Sequence, residues 1–188
     1  MSCSCTTRHL TRRRTLGALG TFGLAAFTTL LLPACGEKAA EAQSAVPVDF
    51  DRATSCELDG MLLADYPGPK AQVHYAGQDK PAFFCDTVEL FHTLLAAEQV
   101  RPIRAAYVQD MGQADWSEPR GHWTDAKTAT YVVGSKRHGS MGPTIASFAQ
   151  EADATRFAAE YGGKVLRYAG ITRDMVDLSG GALHDTRM

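Results

Sequence analysis

Several chemistries are missing from this 188-residue chain. It has no C-x-x-C or C-x-x-C-H, so dithiol-redox and haem-attachment readings lose their main support. No pair among His74, His92, His122, His138 and His184 has the spacing of a zinc-binding helix. A G-x-S-x-G elbow is absent and no Ser, His and acid grouping stands out, so nothing marks an enzyme. Basic residues are scarce too. Residues 1–34 hold Arg8, Arg12, Arg13 and Arg14 and no acid, which leaves 15 of the 19 basic residues against 21 acidic ones in the remainder, a net of −6. A nucleic-acid partner needs a basic face that this balance does not supply.

Long apolar runs are also absent, with one exception. Leu16 to Leu32 is uncharged and follows Arg12, Arg13 and Arg14, the plan of a bacterial signal peptide. At about 17 residues it sits at the lower edge of what spans a bilayer. It ends in Leu32, Pro33, Ala34, Cys35, which resembles a lipobox, making Cys35 the expected lipid anchor and residues 1–34 the signal. The arginines leave general secretion and twin-arginine export both open. Gly36, rather than an aspartate, after the anchor points to the outer membrane by bacterial sorting rules. Residues 35–50 read as a lipidated flexible tether, residues 51–175 as one folded domain and residues 176–188 as a tail. The 154 residues after the signal suffice for one sizeable core.

Hydrophobic periodicity predicts an α+β domain of two similar halves, about 56–112 and 126–171. In the first, Ala71 to Tyr75 alternates like a strand, a turn at Gly77 to Lys80 leads into Ala82 to Phe84, and Ile103 to Val108 returns as a strand. Asp86, three residues before Glu89, predicts the N-cap of a helix over about Thr87 to Ala97 with Val88, Phe91 and Leu95 on its apolar face. In the second, Ala129 to Val133 and Thr144 to Phe148 are extended around a Gly-rich turn. A helix over Glu151 to Tyr161 buries Ala154, Phe157, Ala158 and Tyr161, and Lys164 to Tyr168 closes the unit. Neither ββαβ-like unit is large enough to bury its sheet alone, so the two should pack into one body. Residues 113–128 read as the connection, with Trp116 and Trp123 as packing residues.

Of the five cysteines, Cys3 and Cys5 leave with the signal and Cys35 takes lipid, so Cys56 and Cys85 remain. Cys56 lies five positions before Met61, and Gly60 between them allows the backbone to fold so that both sulfurs converge. Thiolate and thioether donors select soft ions, above all Cu(I). Met61 also fits as a core methionine opening a buried strand. Met141, among Gly139, Ser140, Gly142 and Pro143, has no apolar periodicity and is the second candidate thioether. Met111, between Asp110 and Gly112, is a weaker candidate. Cys85, just before a helix start, admits three readings: a further ligand, a disulfide partner of Cys56, or a small buried residue.

The ordered segments CELDGMLLADYPGPKAQVHY, PAFFCDTVELF, AAYVQDMGQADW, ATYVVGS, GSMGP and FAAEYGGKVLRY, from about Cys56 to Ile171, resemble the NosL family of copper-binding lipoproteins. The resemblance implies two ββαβ units, Cu(I) binding, and delivery of copper to the copper-sulfide centre of nitrous-oxide reductase, with a membrane ABC-type complex as docking partner. By position it assigns Cys56, Met61 and Met141 to the metal. One departure is visible: many relatives read C-x-x-C-G-M, and here Asp59 takes the second cysteine's place. Two rivals remain at this level: a metal-free envelope lipoprotein stapled by a Cys56 to Cys85 disulfide and acting in assembly or docking, and a periplasmic thiol oxidoreductase.

Overall fold

The computed structural model describes residues 45–98, 100–140 and 142–178, all within one compact unit. The signal stretch, Cys35, most of the tether, Met141 and the last ten residues lie outside the described residues. Among the described residues no helix is long and apolar enough to cross a membrane.

Two sheets and two helices repeat one topology. In the first half, β1 (Ala71–Tyr75) lies between β2 (Ala82–Phe84) and β3 (Ile103–Gln109), both antiparallel to it, with α1 (Thr87–Leu94) linking β2 to β3. β4 (Trp123–Asp125) extends this sheet beside β3. In the second half, β5 (Thr130–Val133) lies between β8 (Ala146–Phe148) and β9 (Lys164–Arg167), with α2 (Glu151–Tyr161) before β9. A two-residue ribbon, β6 (His138–Gly139) and β7 (Gly142–Pro143), interrupts the link from β5 to β8. Each half is thus a ββαβ unit, the element order the repeated sequence plan predicts, and the sheets place its first strand in the middle.

Period-2 patterning explains β1, and burial of its second face adds a detail. Ala71, Val73 and Tyr75 enter the core, while Gln72 and His74 are buried on the opposite face. That face is covered by residues 45–50, read as the end of the tether. Gln72 Nε2 donates to the Val48 carbonyl (2.8 Å), its Oε1 accepts from Val48 N–H (2.9 Å), and Tyr107 Oη donates to the Ala45 carbonyl. Buried polar alternates are tolerated because each finds a partner.

The α1 start is the predicted one. Asp86 accepts from Val88 N–H (2.9 Å), and the Glu89 carboxylate accepts from Asp86 N–H (3.3 Å), closing a capping box. The helix ends at Leu94, short of Ala97, with Leu95 as its C-cap. Residues 113–128 are more than a connection, since β4 adds a strand there. The halves share one core: Val73, Leu90 and Phe91 of the first meet Tyr131 and Ile145 of the second, with the Phe91 and Tyr131 rings edge to face at 4.9 Å. A second cluster holds Trp116 stacked on Phe157 at 5.4 Å. A third, of Phe50, Cys56, Leu63 and Cys85, backs the site.

Candidate metal centre

The loop that carries Cys56 folds back on itself. Cys56 N–H donates to the Met61 carbonyl (2.8 Å), Gly60 N–H donates to the Cys56 carbonyl (3.0 Å), and Asp59 Oδ1 accepts from Met61 N–H (2.9 Å). Gly60 has φ +77°, a left-handed conformation that glycine adopts without steric cost. Glu57 N–H donates to the Phe83 carbonyl (2.8 Å), tying the loop to β2. The chain then leaves β2 at Phe84, and Cys85 sits between that strand and the α1 cap.

The result is a cluster of four donors. Cys56 Sγ, Cys85 Sγ and carboxylate oxygens of Asp59 and Glu89 all lie within 4.8 Å of one another. Glu89 Oε2 is 3.2 Å from each sulfur, and Asp59 Oδ2 is 3.8 Å from Cys85 Sγ. Both cysteines are free thiols and both are buried, at 4 % and 0 % exposure, while Glu57 to Gly60 of the same loop are exposed. Met61 is half-buried against this group, so a core contact and a position at the site are compatible.

The cluster is closed from the other half. Ser140 Oγ, beside Met141 in the sequence, donates to the Cys85 carbonyl (3.0 Å) and lies 3.2 Å from Cys85 Sγ. Thr144 Oγ1 donates to Asp86 Oδ1 (2.6 Å). Gly139 packs so tightly on the Asp86 carboxylate that a Cβ there would collide with it, and would sit 2.9 Å from Thr144 Cβ. Beneath the cluster, the fully buried Lys70 donates through Nζ to the Pro67 (2.9 Å) and Cys85 (3.0 Å) carbonyls.

So many acidic groups in one dry pocket cannot all ionise. The Cys85 thiol hydrogen-bonds to Cys56 and, with backbone N–H groups of the loop, lowers the Cys56 pKa to about 6 against the burial that opposes it. Cys85 is correspondingly raised, by that same hydrogen bond, burial and the Glu89 charge. Burial, then the Cys56 charge, pushes Glu89 up to about 9. Lys70 is lowered to about 8 by burial, although the surrounding anions hold its charge. These shifts favour the anion at Cys56 and the neutral forms of Cys85 and Glu89, with the Lys70 ammonium below. The buried Glu89 Oε1 has no hydrogen-bond partner, and a thiolate with a neighbouring thiol is a donor set that a soft cation fits.

A family model described as NosL matches residues 47–176. The chain belongs to the NosL family. It is 39% identical over 168 residues to the copper-binding lipoprotein NosL of Stutzerimonas stutzeri, covering 86% of this chain and 87% of that one. With the copper-binding lipoprotein NosL of Achromobacter cycloclastes it shares 41% identity over 159 residues, covering 82% and 81%. The crystal structure of the copper chaperone NosL from Shewanella denitrificans superposes with a TM-score of 0.66 at 38% identity, covering 70% of this chain and 98% of that one. The names of these NosL proteins describe copper binding and chaperoning, not catalysis.

Measured against the sequence expectations, the structure brings Cys56, Cys85 and Met61 together. It places Met111 elsewhere, packed with Trp116 and Val132 in the second-half cluster. Met141 lies outside the described residues. Sequence reasoning missed two acids. Glu89 was legible only as a capping residue, yet a capping box turns the carboxylate back over the residues before the helix, where Cys85 lies. Asp59 read as the loss of a thiolate, and its own carboxylate reaches the cluster.

Proposed function

We propose that this chain is a Cu(I) chaperone of the bacterial envelope, held to a membrane through Cys35 and facing the periplasm, with the outer membrane as its site. Copper is its cargo: Cys56 provides the first thiolate, Cys85 a second sulfur, and Met61 and Met141 thioethers, one from each half. Delivery serves the copper-sulfide centre of nitrous-oxide reductase, through a membrane ABC-type maturation complex. The single observation that supports this reading best is the pair of free thiols within 4.8 Å, behind a loop whose outer residues are exposed. Soft donors hold Cu(I), and a loop at the surface leaves an edge for an acceptor's ligand, so the ion passes without being freed.

The test is anaerobic Cu(I) titration with X-ray absorption. One Cu(I) per chain with a shell of two or more sulfurs is the expected result. An unchanged titration in the Cys56→Ser protein overturns it.

A further inference from the structure

The two thiols are held differently. Cys85 is fixed: its carbonyl accepts from Lys70 Nζ and Ser140 Oγ, both at 3.0 Å, and its residue joins β2 to the α1 cap. Cys56 is on the loop, with the exposed Glu57, Leu58, Asp59 and Gly60 directly after it. Their sulfurs are within 4.8 Å, so reaching the ~2.05 Å of a disulfide takes a sulfur displacement of no more than about 3 Å. That distance is of the order a side-chain rotation spans, and the exposed residues after Cys56 leave its loop open to solvent. An exported protein meets disulfide oxidants, and paired thiols persist there only if something protects them.

We infer that Cys56 and Cys85 are a redox modification site, closing to a reversible disulfide in the copper-free protein, and that this bond and bound Cu(I) exclude each other. The oxidant class is a small or protein-borne disulfide. The Cys56 sulfur attacks one sulfur of that disulfide, its S–S bond breaks, and the first half leaves as a thiol. The Cys85 sulfur then attacks Cys56 Sγ in the mixed disulfide and displaces the second half as a thiol. Two electrons pass from the protein to the oxidant, and the two protein thiol protons end on the two released thiols. Bound Cu(I) blocks the first attack because it occupies the same sulfur electron pairs. Oxidation in turn removes both cysteine sulfur donors from the site. The exclusion rests on the chaperone reading; the bond itself rests only on the geometry.

The experiment uses the full chain in detergent with oxidised glutathione as the oxidant. Under anaerobic conditions, the reduced copper-free protein should gain a Cys56 to Cys85 link, identified by peptide mapping. The oxidised form should lose at least tenfold in Cu(I) affinity against bathocuproine disulfonate, and dithiothreitol should restore it. Preloading with one Cu(I) should slow formation of the link at least tenfold. Copper-binding protein whose thiols remain separate, or keep glutathione as a mixed disulfide, overturns the inference alone, as does linked protein of unchanged affinity. Reduced protein that takes up no Cu(I) overturns the chaperone reading and the exclusion together.

Discussion

Glu89 Oε2 lies 3.2 Å from Cys56 Sγ and 3.2 Å from Cys85 Sγ. One carboxylate oxygen thus spans the two thiols while also accepting from the N–H groups of Cys85 (3.1 Å) and Asp86 (3.3 Å). The helix cap and the candidate metal site are the same few atoms. A change in the charge of one therefore alters the other.

That coupling sets a pH dependence for the reduced, copper-free protein. Glu89 is raised from 4.5 to about 9, so it favours the folded state below pH 4.5 and that contribution is lost as pH rises towards 9. Cys56 is lowered from 9.0 to about 6, so its contribution is present above pH 9 and is lost as pH falls towards 6. Between pH 6 and 9 the two slopes oppose each other and stability should change little on their account. Glu89→Gln, which keeps the shape of the neutral acid, removes only the first slope. Urea unfolding of the variant at pH 6, 7.5 and 9 should show stability climbing with pH more steeply than in the parent; parallel curves contradict the assignment.

Lys70 gives a second prediction. Its ammonium fills a dry space between the Pro67 and Cys85 carbonyls and compensates the anions around it. Lys70→Met keeps the length of the side chain but takes the Nζ donor from both carbonyls, leaving Cys85's with Ser140 Oγ, and leaves the Cys56 thiolate without its cation. Losing one partner of a buried charge set costs about 3 kcal/mol. The thiolate absorbance near 240 nm should titrate at higher pH than in the parent. An unmoved midpoint means that the loop N–H groups and Cys85 alone hold the thiolate.

How far this fold could be read from its sequence depends on the range of the interactions. Strands β1 and β2 and helix α2 follow from local periodicity, and the Asp86 and Glu89 spacing places the start of α1 at Thr87. β4 was hidden because Trp123 to Asp125 is short and half-buried, held mainly by pairing with β3. The candidate site depends on contacts that periodicity does not encode: Cys56 meets Cys85 across 28 intervening residues, and Ser140 reaches Cys85 from the other half. Lys70 is the clearest gap, since a lysine in a polar-looking turn gives no sign that it will be fully buried.

Gly139 tests whether the ribbon must sit where it does. Gly139→Ala drives a methyl into the buried side chains of Asp86 and Thr144. Overpacking of this kind costs about 1–3 kcal/mol. Gly77→Ala is the control: its Cβ meets nothing within 4 Å, so only its φ of +76° is penalised, about 1–2 kcal/mol. The two variants are then close in stability but should differ in Cu(I) affinity. Only Gly139→Ala should weaken it, because of the two only Gly139 belongs to the ribbon that presents Ser140 to Cys85. Equal affinities would separate the ribbon from the metal.

The methionines separate ligand roles from packing roles. Met61 packs beside the thiols and Met111 packs with Trp116 and Val132 in another cluster, so their substitutions should part company. Leucine keeps most of methionine's volume and costs less than about 1.5 kcal/mol in a core, but it has no sulfur to give. Met61→Leu and Met141→Leu should each lower Cu(I) affinity about tenfold or more and remove one sulfur from the X-ray absorption shell, with the unfolding midpoint nearly unchanged. Met111→Leu should leave both readings as they are. If Met111→Leu weakens binding as much as the other two, the copper does not lie at the Cys56 loop. If Met61→Leu lowers stability but not affinity, Met61 is a core residue and the thioether comes from the other half alone.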